Sequence, residues 1–121
     1  MNGFKDLVVY QKAFALAMEI FEVTKNFPKE EKYSLTDQIR RSSRSVCAQI
    51  AEAYRRKSFP EHFTSKMTDA DAENSETSVW LDFARSCGYL DQTTFRHLSQ
   101  KASEVGLLIG KVIKKAAHFS R

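Results

Sequence analysis

QIRRSSRSVCAQIAEAYRRKS, residues Gln38 to Ser58, decides the fold. Within and just ahead of it, Leu35, Ile39, Ser42, Val46, Ile50 and Ala53 recur at steps of three and four, which is one face of an α-helix. The opposite side of the wheel holds Asp37, Arg41, Arg44, Ser45, Ala48, Ala51, Glu52 and Arg55. Small residues there let another backbone come close, and arginines present planar forks to carboxylates or phosphates. Two readings stand, a solvated flank and a contact face. The scarcity of lysine and glutamate on that side favours the second.

Working outward, the same periodicity appears three more times. A first helix is expected from about Lys5 to Lys25, with Leu7, Tyr10, Phe14, Ala17, Phe21 and Thr24 on one face. Pro28 interrupts the pattern, and the second helix starts there or at Ser34, where Ser34 and Asp37 form a weak capping box. A third begins in SFPEHF, with Ser58 as N-cap and Pro60 in the first turn. Its stripe is Phe63, Met67, Ala70, Asn74, Thr77, Leu81 and Ala84, and Gly88 reads as its stop. A fourth runs from the cap Asp91 to about Ala117 along Phe95, Leu98, Ala102, Val105, Ile109, Val112 and Ala116. Gly106 and Gly110 inside it read as close packing within the bundle. Short connections between long amphipathic helices predict an all-α, antiparallel up-down-up-down four-helix bundle, a single domain over residues 1–121. Leu7, Phe14, Ile39, Val46, Ile50, Phe63, Leu81, Leu98, Val105 and Ile109 are expected in its core.

Composition agrees. A chain of 121 residues that is 42% hydrophobic can fill one core, and 4 Gly with 2 Pro leave little turn punctuation for a many-stranded fold. Cys47 and Cys87, with no CxxC pairing, read as small buried residues kept reduced in a cytoplasmic protein. The start, MNGFKDLVVYQK, places a lysine and an aspartate ahead of any useful apolar run, so neither a signal peptide nor a membrane span is expected.

The net charge of +4 is unevenly spread. Arg40 to Lys57 holds six bases and one acid; Glu61 to Asp82 holds six acids and one base; Val105 to Arg121 holds four bases and no acid. Solvated faces that balance within the bundle, a footprint for a polyanion, and charge matching between subunits all fit this pattern.

Catalytic patterns are missing. His62, His97 and His118 fall on different segments, and no HExxH, Glu-x-x-His, phosphate-binding glycine loop or GxSxG occurs. Asp69, Glu73 and Glu76 line one helix flank, where they suit arginines better than a metal ion. No enzyme activity, metal or cofactor is expected. Trp80 and Phe83, beside Val79, cannot all share a face with Leu81 and are candidate apolar anchors for a partner.

FKDLVVYQKA (residues 4–13), FPKEEKYSLTDQIRRSSRSV (27–46), QIAEAYRRKS (49–58) and SETSVWLDFARSCGYL (75–90) together resemble the bacterial four-helix-bundle family of proteins encoded in intervening sequences of 23S ribosomal RNA genes. The accessory variability protein of diversity-generating retroelements is a related bundle. The resemblance implies a small helical subunit in a ring-like homopentamer, and for the retroelement relatives it implies binding of nucleic acid and of a reverse transcriptase. Arg40, Arg41, Glu52 and Glu76 match family positions. Gln49 stands where the family often has asparagine, Ala53 where it has glycine, and Ala72-Glu73 where a Gly-Ser pair is common.

The expected function is a non-enzymatic oligomeric scaffold that binds RNA or DNA through Arg55, Arg56, Lys57, Lys111, Lys114 and Lys115. The expected subunit face comprises Arg41, Arg44, Ser45, Ala48, Ala51, Glu52, Glu73, Glu76, Trp80 and Phe83, with Arg41 and Arg44 reaching acids of the next chain. The alternative is an interaction module whose charged faces serve self-assembly or a protein partner, without nucleic acid.

Overall fold

The computed structural model describes residues 3–119. Four helices carry it: α1 (Val8–Thr24), α2 (Leu35–Arg55), α3 (Pro60–Ser86) and α4 (Gln92–Phe119). Short 3-10 turns at Gly3–Asp6 and Lys29–Glu31 precede α1 and α2. Each helix packs against two neighbours, in the cycle α1–α2–α3–α4–α1. Cross-helix pairs fix the directions. Arg41 meets Glu76 while Glu52 faces Lys66, and Glu19 meets His97 while Lys12 meets Glu104. Higher numbers on one helix face lower numbers on the next, so neighbours are antiparallel.

The stripes of α2, α3 and α4 lie inside as the spacing predicts. Ile39, Val46, Ile50, Met67, Leu81, Leu98, Val105 and Ile109 are buried, while Leu7 and Phe63 are only half-buried. Between α2 and α3 the core is tight and partly polar. Thr77 Oγ1 donates to the Glu73 carbonyl at 3.0 Å, which leaves its lone pairs to accept from Ser42 Oγ at 2.8 Å. Both hydroxyls are thus satisfied without water.

α1 turns differently from the expectation. Its buried face is Val9, Ala13, Leu16, Ala17, Ile20 and Thr24, and Phe14 is 50% exposed. Apolar residues surround this helix, so several faces satisfy the period. The face that wins carries alanines and branched chains, which let α2 and α4 come close. Tyr10 and Phe14 move to the rim, where Phe4, Tyr10 and Phe14 form a ring ladder with centroids 5.0 and 6.1 Å apart.

The helix ends correct two further expectations. Ser58 is not the cap of α3; Phe59 holds that position with no side-chain bond, and Pro60 opens the helix. Ser34 precedes α2, but its hydroxyl donates to Glu31 Oε1 at 2.6 Å instead of capping the backbone. Asp91 does cap α4, accepting from the Thr94 N–H at 2.7 Å. Gly88, at φ +81°, supplies the left-handed residue that ends α3, and the Tyr89 N–H turns back to the Ala84 carbonyl at 2.9 Å. Tyr89 then donates to Glu31 Oε2 at 2.8 Å, tying the α3–α4 turn to the approach to α2. Bonds from Ser34 and Tyr89 hold the Glu31 carboxyl below its ordinary range, and the same carboxylate pushes Tyr89 up to about 12.

The two cysteines part company. Cys47 is buried, and burial pushes its thiol up to about 11; Cys87, expected inside, is exposed at the end of α3. A disulfide-exchange reagent is therefore expected to titrate one thiol quickly and the second only on unfolding. Two equally fast thiols would contradict the packing around Cys47. No helix among the described residues is long and apolar enough to cross a membrane.

Candidate nucleic-acid interface and subunit face

In an antiparallel cycle, α2 and α4 end at the same pole. Arg55, Arg56 and Lys57 close α2, and Lys111, Lys114 and Lys115 lie in the last turns of α4. All six are exposed. Among the described residues none of the six is in an ion pair. Lys57 Nζ lies 4.3 Å from the Tyr54 ring centroid and 3.1 Å from its hydroxyl, so the pole also presents an aromatic edge beside the charge. Two clusters far apart in the chain thus share one end of the bundle. Arg121, the last base of the sequence, lies outside the described residues.

The other arginines of α2 are engaged. Arg41 meets Glu73 Oε2 at 2.9 Å and also pairs with Glu76. The carboxylates it was expected to find on the next chain are thus supplied by its own α3. Glu76 accepts in addition from Trp80 Nε1 at 3.1 Å, which fixes the indole. Arg40 donates from Nε to Thr24 Oγ1 at 2.8 Å, and the Arg44 guanidinium lies 5.7 Å from the Phe21 ring centroid. Phe21 as a gathering point for cations was not anticipated. Sequence spacing puts it on one face of the first helix with Leu7 and Phe14, and nothing in that spacing joins it to Arg40 or Arg44.

The small-residue face of α2 points outward. Ala48 and Glu52 are exposed, and Ser45 and Ala51 are half-buried. Glu52 reaches Lys66 at 3.7 Å, and Asp69 is exposed. Further along the flank of α3 that meets Arg41, Phe83 is 54% exposed, with its ring 5.8 Å from that of the half-buried Trp80. They border a cleft of about 460 Å³ that also involves Leu35, Gln38 and Cys87. In α4, a Cβ on Gly106 would meet Asn74 Nδ2 at 3.3 Å, whereas one on Gly110 would meet nothing within 4 Å. Gly106 therefore serves close helix packing, beside the Asn74 Nδ2 bond to the Ala102 carbonyl at 2.9 Å, and Gly110 does not.

The comparisons with known proteins agree with this architecture. No curated protein matches the chain. A crystal structure described as a protein with unknown function from the S23 ribosomal protein family of Bacteroides thetaiotaomicron is similar at 29% identity and a TM-score of 0.80. The match covers 88% of this chain and 96% of that one. The 23S rRNA-intervening sequence protein family matches residues 5–111, the span that holds all of α1, α2 and α3 and most of α4. With that match joined to the antiparallel bundle, the chain belongs to the 23S rRNA-intervening sequence protein family.

Proposed function

We propose that this chain is a non-enzymatic, cytoplasmic scaffold that self-associates and binds nucleic acid, RNA foremost, through the basic pole. The observation that carries the reading is the sorting of charge. Arg41 is neutralised by Glu73 and Glu76, whereas Arg55, Arg56, Lys57, Lys111, Lys114 and Lys115 stand exposed at one end of the bundle without ion pairs among the described residues. Unpaired cations at one surface are what counterion release from a phosphate backbone needs. Assembly would use the outward face of α2 around Ser45, Ala48, Ala51 and Glu52. The resemblance to ring-forming relatives supports five copies, which would array several basic poles on one particle and raise avidity.

Replacing the six bases with glutamine tests this. The expected result is a loss of at least about a hundredfold in affinity for mixed RNA and DNA probes at low salt, with the helical signal intact. Unchanged affinity would retire the basic pole as the binding surface.

The Trp80–Phe83 cleft favours a second reading, docking of a protein partner such as a reverse transcriptase. An exposed phenylalanine beside a half-buried indole that Glu76 holds in place is a preorganised anchor. A native chain that binds no nucleic acid at low salt, but loses a protein partner when Phe83→Ala is introduced, would favour that reading over the first.

A further inference from the structure

A second basic site lies at the pole opposite the six bases, where α1 ends and α2 begins, and it can be separated from them by mutation. Phe21 on α1 draws in three cations. Lys25 Nζ lies 4.8 Å from its ring centroid, the Arg40 guanidinium carbon 4.8 Å and the Arg44 guanidinium carbon 5.7 Å. Glu22 neutralises Lys25 at 3.2 Å. Arg40 and Arg44 have no carboxylate partner among the described residues. An aromatic face offsets only part of the repulsion between such charges, which leaves them available to an anion.

The geometry around them is that of a prepared pocket. A cleft of about 540 Å³ is lined by Arg40 and Arg44 together with Lys32 and Tyr33. That size suits a mononucleotide-sized ligand. Arg40 is aimed by its bond to Thr24 Oγ1 at 2.8 Å and a longer one from Nη2 to the Phe21 carbonyl at 3.5 Å, which leaves Nη1 free to donate. Thr36 lines the cleft at 7% exposure, and its hydroxyl has no hydrogen-bond partner among the described residues. Tyr33 is 84% exposed at the rim, with Lys32 Nζ 5.3 Å from its ring centroid. Asp37 is the one carboxylate in the lining, against Lys32, Arg40 and Arg44; Arg41, also in the lining, is occupied by Glu73 and Glu76.

We infer that this cleft binds a nucleotide by its terminal phosphate, with Arg40, Arg44 and Lys32 on the phosphate and Tyr33 stacked on the base. Planar guanidinium forks match phosphate oxygens bidentately, and several cations lining one cleft suit the dianion of a phosphomonoester better than a single backbone phosphodiester. An exposed tyrosine at the rim supplies a stacking plate that a bare anion would not need.

Calorimetric titration at low salt with AMP, adenosine and inorganic phosphate tests the site. AMP should bind saturably, and adenosine at least about tenfold more weakly. Arg44→Gln should lower AMP affinity by about tenfold, the effect of one charge-assisted hydrogen bond. Tyr33→Ala should weaken AMP and leave inorganic phosphate unaltered. Both side chains are exposed at the surface, so neither change threatens the fold. The six-glutamine variant of the opposite pole should bind AMP as the native chain does, so failure here and failure of the proposed function are distinguishable. A 5′-phosphorylated RNA oligonucleotide that outcompetes both AMP and its 5′-hydroxyl counterpart would identify an RNA end as the source of the phosphate; equal affinity with AMP would identify a free mononucleotide. Absence of saturable AMP binding at millimolar concentration, equal binding of AMP and adenosine, or an Arg44→Gln variant indistinguishable from native would each overturn the inference.

Discussion

Truncating Ile39 to alanine is expected to lower the free energy of unfolding by about 2–5 kcal/mol, the range for deleting a fully buried branched side chain and leaving a cavity. Ile39 is wholly buried on the inward face of α2. Its neighbours on the stripe, Ser42 and Leu35, are also buried and cannot simply slide in without breaking the Ser42–Thr77 bond. Phe14→Ala is the informative contrast. Phenylalanine is the larger side chain, but Phe14 is 50% exposed at the rim, so its loss should cost well under half as much. Denaturant unfolding at one fixed protomer concentration checks both, because assembly would otherwise contribute to apparent stability. A Phe14 variant as damaged as the Ile39 variant would mean that α1 is rotated toward the face its aromatic spacing first suggested.

Ala48→Arg is expected to dissociate the assembly while leaving the bundle folded. Ala48 is exposed near the middle of the outward face of α2, between the half-buried Ser45 and Ala51. On an isolated bundle such a surface change shifts stability by no more than about 0.5 kcal/mol. Against a closely approaching neighbour, the same side chain fills space reserved for backbone and brings a charge with no partner. Exposed ion pairs contribute little by themselves, so in the proposed assembly apolar contact would have to hold the subunits together. Light scattering on the native chain should report a multimer at moderate salt, and on the variant a single chain with unchanged circular dichroism. A variant that still assembles would place the interface on another face, and a monomeric native chain would remove the assembly from the account.

The fold was legible because three of the four helices allow only one inward face. In α2, Arg41, Arg44, Glu52 and Arg55 mark the side away from Ile39, Val46 and Ile50, and in α3, Asp69, Asp71, Glu73 and Glu76 lie off the stripe of Met67, Ala70 and Leu81 even though Val79 and Phe83 also stay outside. α1 has no such veto. Its apolar residues nearly encircle it, and the decision falls to packing distance, which favours Ala13 and Ala17 over Phe14. The caps at Asp91 and Gly88 were legible because one side chain and one left-handed backbone position suffice to make them. Ser58 was not, because the chain enters α3 through Phe59 and Pro60 instead. Cys87 lies just past the last buried residue of α3, where one step of rotation decides between core and solvent.

Of the candidate site, composition reveals the basic clusters but not their company. The common pole of Lys57 and Lys115 follows from helix direction, which appears once the bundle is taken as antiparallel. The engagement of Arg41 by Glu73 and Glu76 depends on the register between α2 and α3, and no local pattern encodes that register. The same holds for Phe21, whose surrounding cations come from its own helix and from α2.

The most direct test of the central claim is the salt dependence of RNA binding by the native chain, plotted as the logarithm of the association constant against the logarithm of salt concentration. With three to six phosphate contacts from the basic pole, at about 0.7 per contact for a single strand, the slope should be about −2 to −4. With RNA that carries a 5′-hydroxyl, so that the opposite cleft has no terminal phosphate to hold, the slope in the six-glutamine variant should fall well below the native one. A native slope near zero, or one that the six replacements leave unchanged, would contradict the assignment of Arg55, Arg56, Lys57, Lys111, Lys114 and Lys115 as the nucleic-acid surface.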